Sequence, residues 1–176
     1  MAWTTPLSVV ANTVLTAGQW NAGVRDNLLE TCPAKATDTS KIFVTDGAGK
    51  IAARDIVDHI IDDQETTAST VYIDLTPPGP FVTLTTGNLA LVWLNGQVGN
   101  TATTNTLMTY DVTGATTTAA DTNKALECDG GAGVANRLCV TNLESVNPGV
   151  NTFTTKYKVT GGTGTFYKRR LVVMGL

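Results

Sequence analysis

The run from Asn151 to Val159 constrains the fold more than any other part of this chain. Asn151, Phe153, Thr155, Tyr157 and Val159 alternate strictly with Thr152, Thr154, Lys156 and Lys158. A period of two puts the aromatics on one face of an extended backbone and both lysines on the other, so the run predicts a half-buried strand. The rest of residues 70–176 offers it partners. Segments near 71–75, 81–86, 89–98, 106–112, 124–128, 137–142 and 165–174 place β-formers between turn residues. With 150–159 they make about eight strands, which predicts an antiparallel β-sandwich of jelly-roll type.

Within that set Leu89-Ala90-Leu91-Val92-Trp93-Leu94 is apolar at every position. The expectation is a strand covered on both faces, by the core on one side and a neighbouring subunit on the other. Pro77-Pro78-Gly79-Pro80 predicts a rigid turn, and the glycine-rich stretches 129–133 and 160–164 predict hairpin ends.

Residues 38–69 read as a connector. Ile42-Phe43-Val44-Thr45, the turn Asp46-Gly47-Ala48-Gly49 and Lys50-Ile51-Ala52-Ala53 predict a small hairpin. After it Ile56, Val57, Ile60 and Ile61 recur at helical spacing, with Asp55, Asp58, Asp62 and Asp63 opposite, which predicts a short helix. In a trimer that apolar stripe would form a seam about the axis.

Residues 1–37 read as an anchor. Thr16 and Gln19 stand at the spacing of a capping box, and Leu15 and Trp20 at that of a hydrophobic staple. Trp20, Val24 and Leu28 then form one apolar stripe, with Arg25 and Asp26 elsewhere on the helix. A helix this short needs a surface to lie on. Two readings of Trp3 and Trp20 stand open: core residues of the chain's own domain, or interface anchors on another protein.

Chemistry leaves little trace in the sequence. One histidine and no Gly-x-Ser-x-Gly elbow argue against a hydrolytic triad. His59 and the cysteines have no zinc-ligand spacing, the acidic residues 58–65 lack the pattern of a calcium loop, and Gly161-Gly162-Thr163-Gly164 lacks the Lys-Ser or Lys-Thr of a P-loop. Asp74, Asp111, Asp121, Glu127 and Asp129 could supply the paired carboxylates of a carbohydrate-active enzyme, but no spacing marks a pair. The reading is a non-enzyme without metal or cofactor. Twelve Lys and Arg against 15 Asp and Glu make no basic field for nucleic acid. No apolar run approaches the roughly 18 residues of a spanning helix, so no membrane partner is expected. The 32 threonines build polar uncharged β-surfaces, which suit an extracellular particle.

Three parts of the sequence carry a resemblance. Ala2-Trp3-Thr4-Thr5-Pro6, followed by Leu15-Thr16-Ala17-Gly18-Gln19-Trp20-Asn21 and Val24-Arg25-Asp26-Asn27-Leu28, resembles the N-terminal segment of small tailed-bacteriophage virion proteins. The stretches 151–159, 162–166 and 169–173 are similar to the closing strands of the β-sandwich those proteins carry, and 71–75 and 79–87 to its first strands. The resemblance implies a place in a phage particle, as head decoration, head fibre or tail appendage.

On this reading the chain is a virion structural protein, assembled in the host cytoplasm. Its arm docks on the major capsid protein or another virion protein through Trp3, Leu15, Trp20, Val24, Arg25 and Leu28. Its sandwich projects as a homotrimer, a capsid decoration or short head fibre. The connector is short for a tail-fibre shaft, which favours the head; the alternative is a tail receptor-binding protein contacting host surface glycan through turns such as 99–106 or 129–136. Cys128 and Cys139 flank a glycine-rich stretch and are candidates for a disulfide across neighbouring strands; free buried thiols are the competing reading. For Arg169-Arg170 the expectation is one side chain outward and one paired with an acid.

Overall fold

The computed structural model describes residues 8, 11–12, 14–29, 31, 36, 41–45 and 50–176. They fall into two compact units, Met1–Asp55 and Ile56–Leu176.

In the first unit a continuous helical run comprises α1 (Ala17–Trp20), a π-helical stretch Asn21–Arg25 and α2 (Asp26–Leu28). The capping box is present: Thr16 Oγ1 accepts from the Gln19 N–H at 3.2 Å, and Gln19 Oε1 accepts from the Thr16 N–H at 3.0 Å. Two of the unpaired donors at the helix start are thereby satisfied. The expected hairpin is also present. Strand β1 (Lys41–Thr45) pairs antiparallel with the first half of β2 (Ile51–Ile61), from Thr45 opposite Ile51 to Lys41 opposite Asp55, and the last pair is an ion pair at 2.5 Å. The hairpin turn at 46–49, Trp3 and Cys32 lie outside the described residues.

The second unit is a sandwich. To the second half of β2 it adds β3 (Glu65–Thr67), β4 (Phe81–Thr86), β5 (Leu89–Asn100), β6 (Thr106–Gly114), β7 (Leu126–Cys128), β8 (Ala135–Ser145), β9 (Gly149–Val159) and β10 (Gly164–Gly175). One sheet runs β2-β10-β5-β8, with β3 extending β10; the other runs β4-β9-β6-β7. Every pairing is antiparallel. From β4 onward each connection changes sheet except β6 to β7, which is the jelly-roll topology.

The alternation in β9 has the predicted effect. Asn151, Phe153, Thr155, Tyr157 and Val159 are fully buried, while Lys156 and Lys158 face outward. Phe153 and Tyr157 pack with Tyr110, Phe166, Leu94, Leu171 and Val92 between the sheets. Full burial of each such side chain stabilises by about 1.5–3 kcal/mol. The turn 77–80 seals one edge of this core: Gly79 O accepts from Tyr157 Oη at 2.6 Å, and Pro80 O accepts from the Thr155 N–H and Oγ1, both at 3.0 Å.

Several expectations need correction. The helix predicted at Ile56–Ile61 is the second half of β2, paired with β10 from Ile56 opposite Met174 to Ile61 opposite Arg169. Isoleucine and valine at both inner and outer positions of a strand imitate helical spacing. Their β-branched side chains and the waiting edge of β10 decide for the extended form. Ile56 and Ile60 therefore lie on one face of the sheet, Val57 and Ile61 on the other, and the four make no single stripe.

Strand β5 is covered fully on one face and partly on the other: Ala90, Val92 and Leu94 are buried, Leu91 and Trp93 half-buried, Leu89 exposed. The glycine-rich stretches 129–133 and 160–164 arch from one sheet to the other instead of closing hairpins. That separates the cysteines. Cys128 on β7 is buried and Cys139 on β8 exposed, in different sheets, and both are free thiols. The segment 71–75 keeps one bridge, Ile73 to Tyr157, rather than a strand.

Candidate functional site

The two outer faces of the sandwich have opposite character. On the β2-β10-β5-β8 sheet, cross-strand register lines up Ile56, Met174, Leu91 and Leu143 in one outward row. The next outward row is Asp58, Val172, Trp93 and Thr141, and the third Ile60, Arg170, Asn95 and Cys139. Leu143 is 62% exposed, Ile60 47% and Ile56 45%. One end of this face is thus a continuous apolar band, and the other turns polar. Arg170 and Asp58 form an exposed ion pair across it at 2.9 Å.

The outer face of the β4-β9-β6-β7 sheet is built mainly from threonine and charge, with Phe81 and Val150 as exposed apolar residues on it. Thr83 and Thr152 share a hydrogen bond at 2.8 Å, and Thr113 lies beside Thr152 in the same row. Lys156 reaches Asp74 at 2.8 Å and Asp111 at 3.3 Å. Burial lowers the Lys156 pKa, but the Asp74 hydrogen bond and the Asp111 and Asp74 charges outweigh it and hold the ammonium above its usual range. Lys158 stacks on the Tyr72 ring, 4.4 Å from its centroid, and donates to Thr122 Oγ1 at 2.9 Å.

The predicted docking residues that are described all lie near the surface of the helical run. Trp20 is 55% and Leu28 59% exposed; Leu15 and Val24 are exposed to a lesser degree. Arg25 is engaged by its neighbour Asp26 at 2.8 Å, which fixes its guanidinium along the helix. Of the predicted seam, Ile56 lies in the apolar row of this outer face and Ile60 at its polar end beside Arg170, whereas Val57 packs against the core.

Sequence reasoning missed Met174, Val172 and Leu143 as parts of that face. The signal was present at Leu171-Val172-Val173-Met174, which is apolar without alternation, as Leu89–Leu94 is. Arg169 also departs from expectation. A bulge in the β10–β5 register turns it inward, where it is fully buried. Its guanidinium meets Gly79 O at 3.5 Å and Asp63 O at 3.3 Å, and lies 5.5 Å from the Tyr157 ring centroid. The acid expected for one of the two arginines belongs to Arg170.

His59 links the edges of the two sheets. Its Nδ1 accepts from the Phe81 N–H at 3.1 Å, and the two rings meet edge to face at 5.1 Å. Among the described residues no cluster of His, Cys, Asp and Glu has metal-site geometry, and no helix is long and apolar enough to cross a membrane.

No protein-family model matches the sequence, and no curated protein matches it. Among solved structures the chain is similar to the VP2 subviral particle of infectious bursal disease virus, at 12% identity over 71% of this chain and 35% of that one, with a TM-score of 0.49. It is similar to Eiger TNF from S. frugiperda at 11% identity over 69% and 92% of the two chains, TM-score 0.47. The infectious bursal virus derived T=1 particle gives 13% identity over 71% and 34%, TM-score 0.47. This chain spans about a third of the length of the two bursal virus chains.

Proposed function

We propose that this protein is a non-enzymatic structural component of a virion: a trimeric capsid decoration or short head fibre of a tailed phage, docked by its N-terminal segment and projecting the jelly roll. The observation that carries the reading is the contrast between the outer faces of the sandwich. An apolar band on one sheet loses water-exposed surface when a second copy covers it, and each half-exposed Leu or Ile covered there adds roughly half of the free energy of full burial at most. The threonine and lysine face opposite stays solvated. Closed symmetry is the usual way for like subunits to cover such a band.

The capped helix supplies the second element. Its Trp20, Val24 and Leu28 stripe is too short to hold a helix by itself and needs a protein surface beneath it. Three such anchors on one trimer bind a shell with avidity that one lacks. The major capsid protein is the partner this reading assigns, with the virion surface as the protein's location.

The test is to locate the chain on purified particles, with gold-labelled antibody in electron microscopy and stoichiometry from a stained gel. Labelling spread over the head in many copies is expected. A few copies confined to the tail would replace this reading with a receptor-binding one, and absence from the particle would end both.

A further inference from the structure

The two sheets end at β7 and β8, which lie against each other, and among the described residues no main-chain hydrogen bond joins these strands. Side chains close the seam instead. Lys124, at the end of a single helical turn Thr122–Lys124, reaches Glu144 on β8, its Nζ donating to Oε2 at 2.8 Å. Tyr110 on β6 donates to the other carboxylate oxygen at 2.5 Å. Asn142, two residues before Glu144 and so on the same side of β8, donates from Nδ2 to Lys124 O at 3.0 Å and also hydrogen-bonds the Tyr110 hydroxyl. An amine, a carboxyl and a carboxamide thus gather round one buried phenol.

Their surroundings bear on what these groups can do. Tyr110 is fully buried, and the side chains of Lys124 and Glu144 are largely so. An ion pair this far from water gives up most of its hydration, and apolar side chains of the same size would serve folding as well. Stability alone therefore does not call for this set. Passing a proton from Lys124 Nζ to Glu144 replaces two poorly hydrated charges with a neutral amine and a neutral acid. The amine is a nucleophile, and the carboxamide carbon of Asn142 is an electrophile held in the same cluster. Asn142 and Glu144 occupy neighbouring positions on one strand face, so the flexible Lys124 stem can serve either. Lys156 on the outer face is the contrasting case, because Asp74 and Asp111 hold its ammonium charged.

We propose that Lys124 and Asn142 join through an isopeptide bond across this seam, with Glu144 as the acid–base group. Glu144 takes a proton from the Lys124 ammonium, and Nζ attacks Asn142 Cγ. The Nζ–Cγ bond forms and the Cγ–Nδ2 bond breaks as Glu144 hands that proton to the departing Nδ2. The second proton shed by Nζ follows the same route, so the nitrogen leaves as ammonium and Glu144 ends as the carboxylate it began as. The step is redox-neutral and needs only these three side chains. Its product closes residues 124–142 into a covalent loop and ties the last strand of one sheet to the other sheet, which restricts the unfolded chain as any cross-link does. The inference stands apart from the particle address, since the bond forms within one chain.

The full-length protein, denatured and weighed intact by mass spectrometry, tests it. A mass short of the sequence by one ammonia is expected, with the peptides that hold Lys124 and Asn142 recovered from a tryptic digest as one branched species. Lys124→Met and Glu144→Gln should each restore the full mass while keeping the circular dichroism of the sandwich. The wild-type digest decides by itself should either variant fail to fold. A mass equal to that of the sequence, or a loss of ammonia that persists in Lys124→Met, overturns the proposal. So does a link that forms undiminished in Glu144→Gln, since the carboxyl would then take no part.

Discussion

Tyr157 shows how closely single residues tie the sandwich together. Its hydroxyl donates to Gly79 O at 2.6 Å and meets Thr155 Oγ1 at 2.7 Å, its ring packs on Phe166, and Arg169 lies over it. Burial raises its pKa to about 12 against the opposing pull of Thr155 and Arg169. Tyr110 is raised further, first by burial and then by its hydrogen bond to Glu144 Oε1 at 2.5 Å, a carboxylate that also holds Lys124 at 2.8 Å. A phenol whose folded pKa lies above its unfolded value stabilises the fold fully below the unfolded pKa, near 10. That contribution is lost as pH rises through the folded one. Urea midpoints should therefore hold steady up to about pH 10 and fall between about 10 and about 12, with tyrosinate absorbance of Tyr110 and Tyr157 appearing together with unfolding. Reversible ionisation of all four tyrosines near pH 10 in a folded protein would refute it. The burial of Tyr157 was legible from the alternation of β9. Its neighbour Arg169 was not, because inward placement depends on a bulge in β10, and a bulge leaves no mark in an Arg-Arg pair.

Among the elements, β2 is where reading the sequence failed. Ile56-Val57-Asp58-His59-Ile60-Ile61 satisfies helical and extended spacing equally well, and the deciding fact is non-local: β10 and β4 need a strand and a bridging His59 at that edge. The strand assignment makes a prediction that a helical stripe does not. Val57 points into the core beside Val173, whereas Ile60 points out beside Arg170. Val57→Asp should cost about 3 kcal/mol or more, the penalty for an unpaired charge in an apolar site. Ile60→Thr, which keeps β-branching on an outward position, should change stability by less than about 0.5 kcal/mol. Chemical denaturation of the two variants checks this, and equal losses would contradict the register. The capping box, by contrast, was legible because Thr16 and Gln19 interact within three residues of each other, and local chemistry needs no knowledge of the fold. The ion pair of Asp74 with Lys156 was illegible for the opposite reason: the two residues are 82 apart in sequence, and only the fold brings them together.

At the scale of the whole molecule the reading separates two functions that a single deletion and a single substitution can pull apart. The jelly roll folds around its own core, within Ile56–Leu176, and the proposed subunit contact lies on its apolar face. The proposed grip on the particle lies instead in residues 1–37. Removing residues 1–37 should leave a sandwich of unchanged urea midpoint that still sediments as a trimer and no longer binds particles. Leu143→Glu puts a charge at the β8 end of the exposed apolar row, on an outward position that is 62% exposed. It should leave the fold intact, yield monomers in analytical ultracentrifugation, and weaken particle binding by the loss of avidity rather than by loss of the anchor. The two variants thus predict opposite patterns of assembly and attachment. If the truncated chain became monomeric, the arm would be the trimerising element and the apolar face would belong to it. If Leu143→Glu remained a trimer, that face would be covered by something other than a second sandwich.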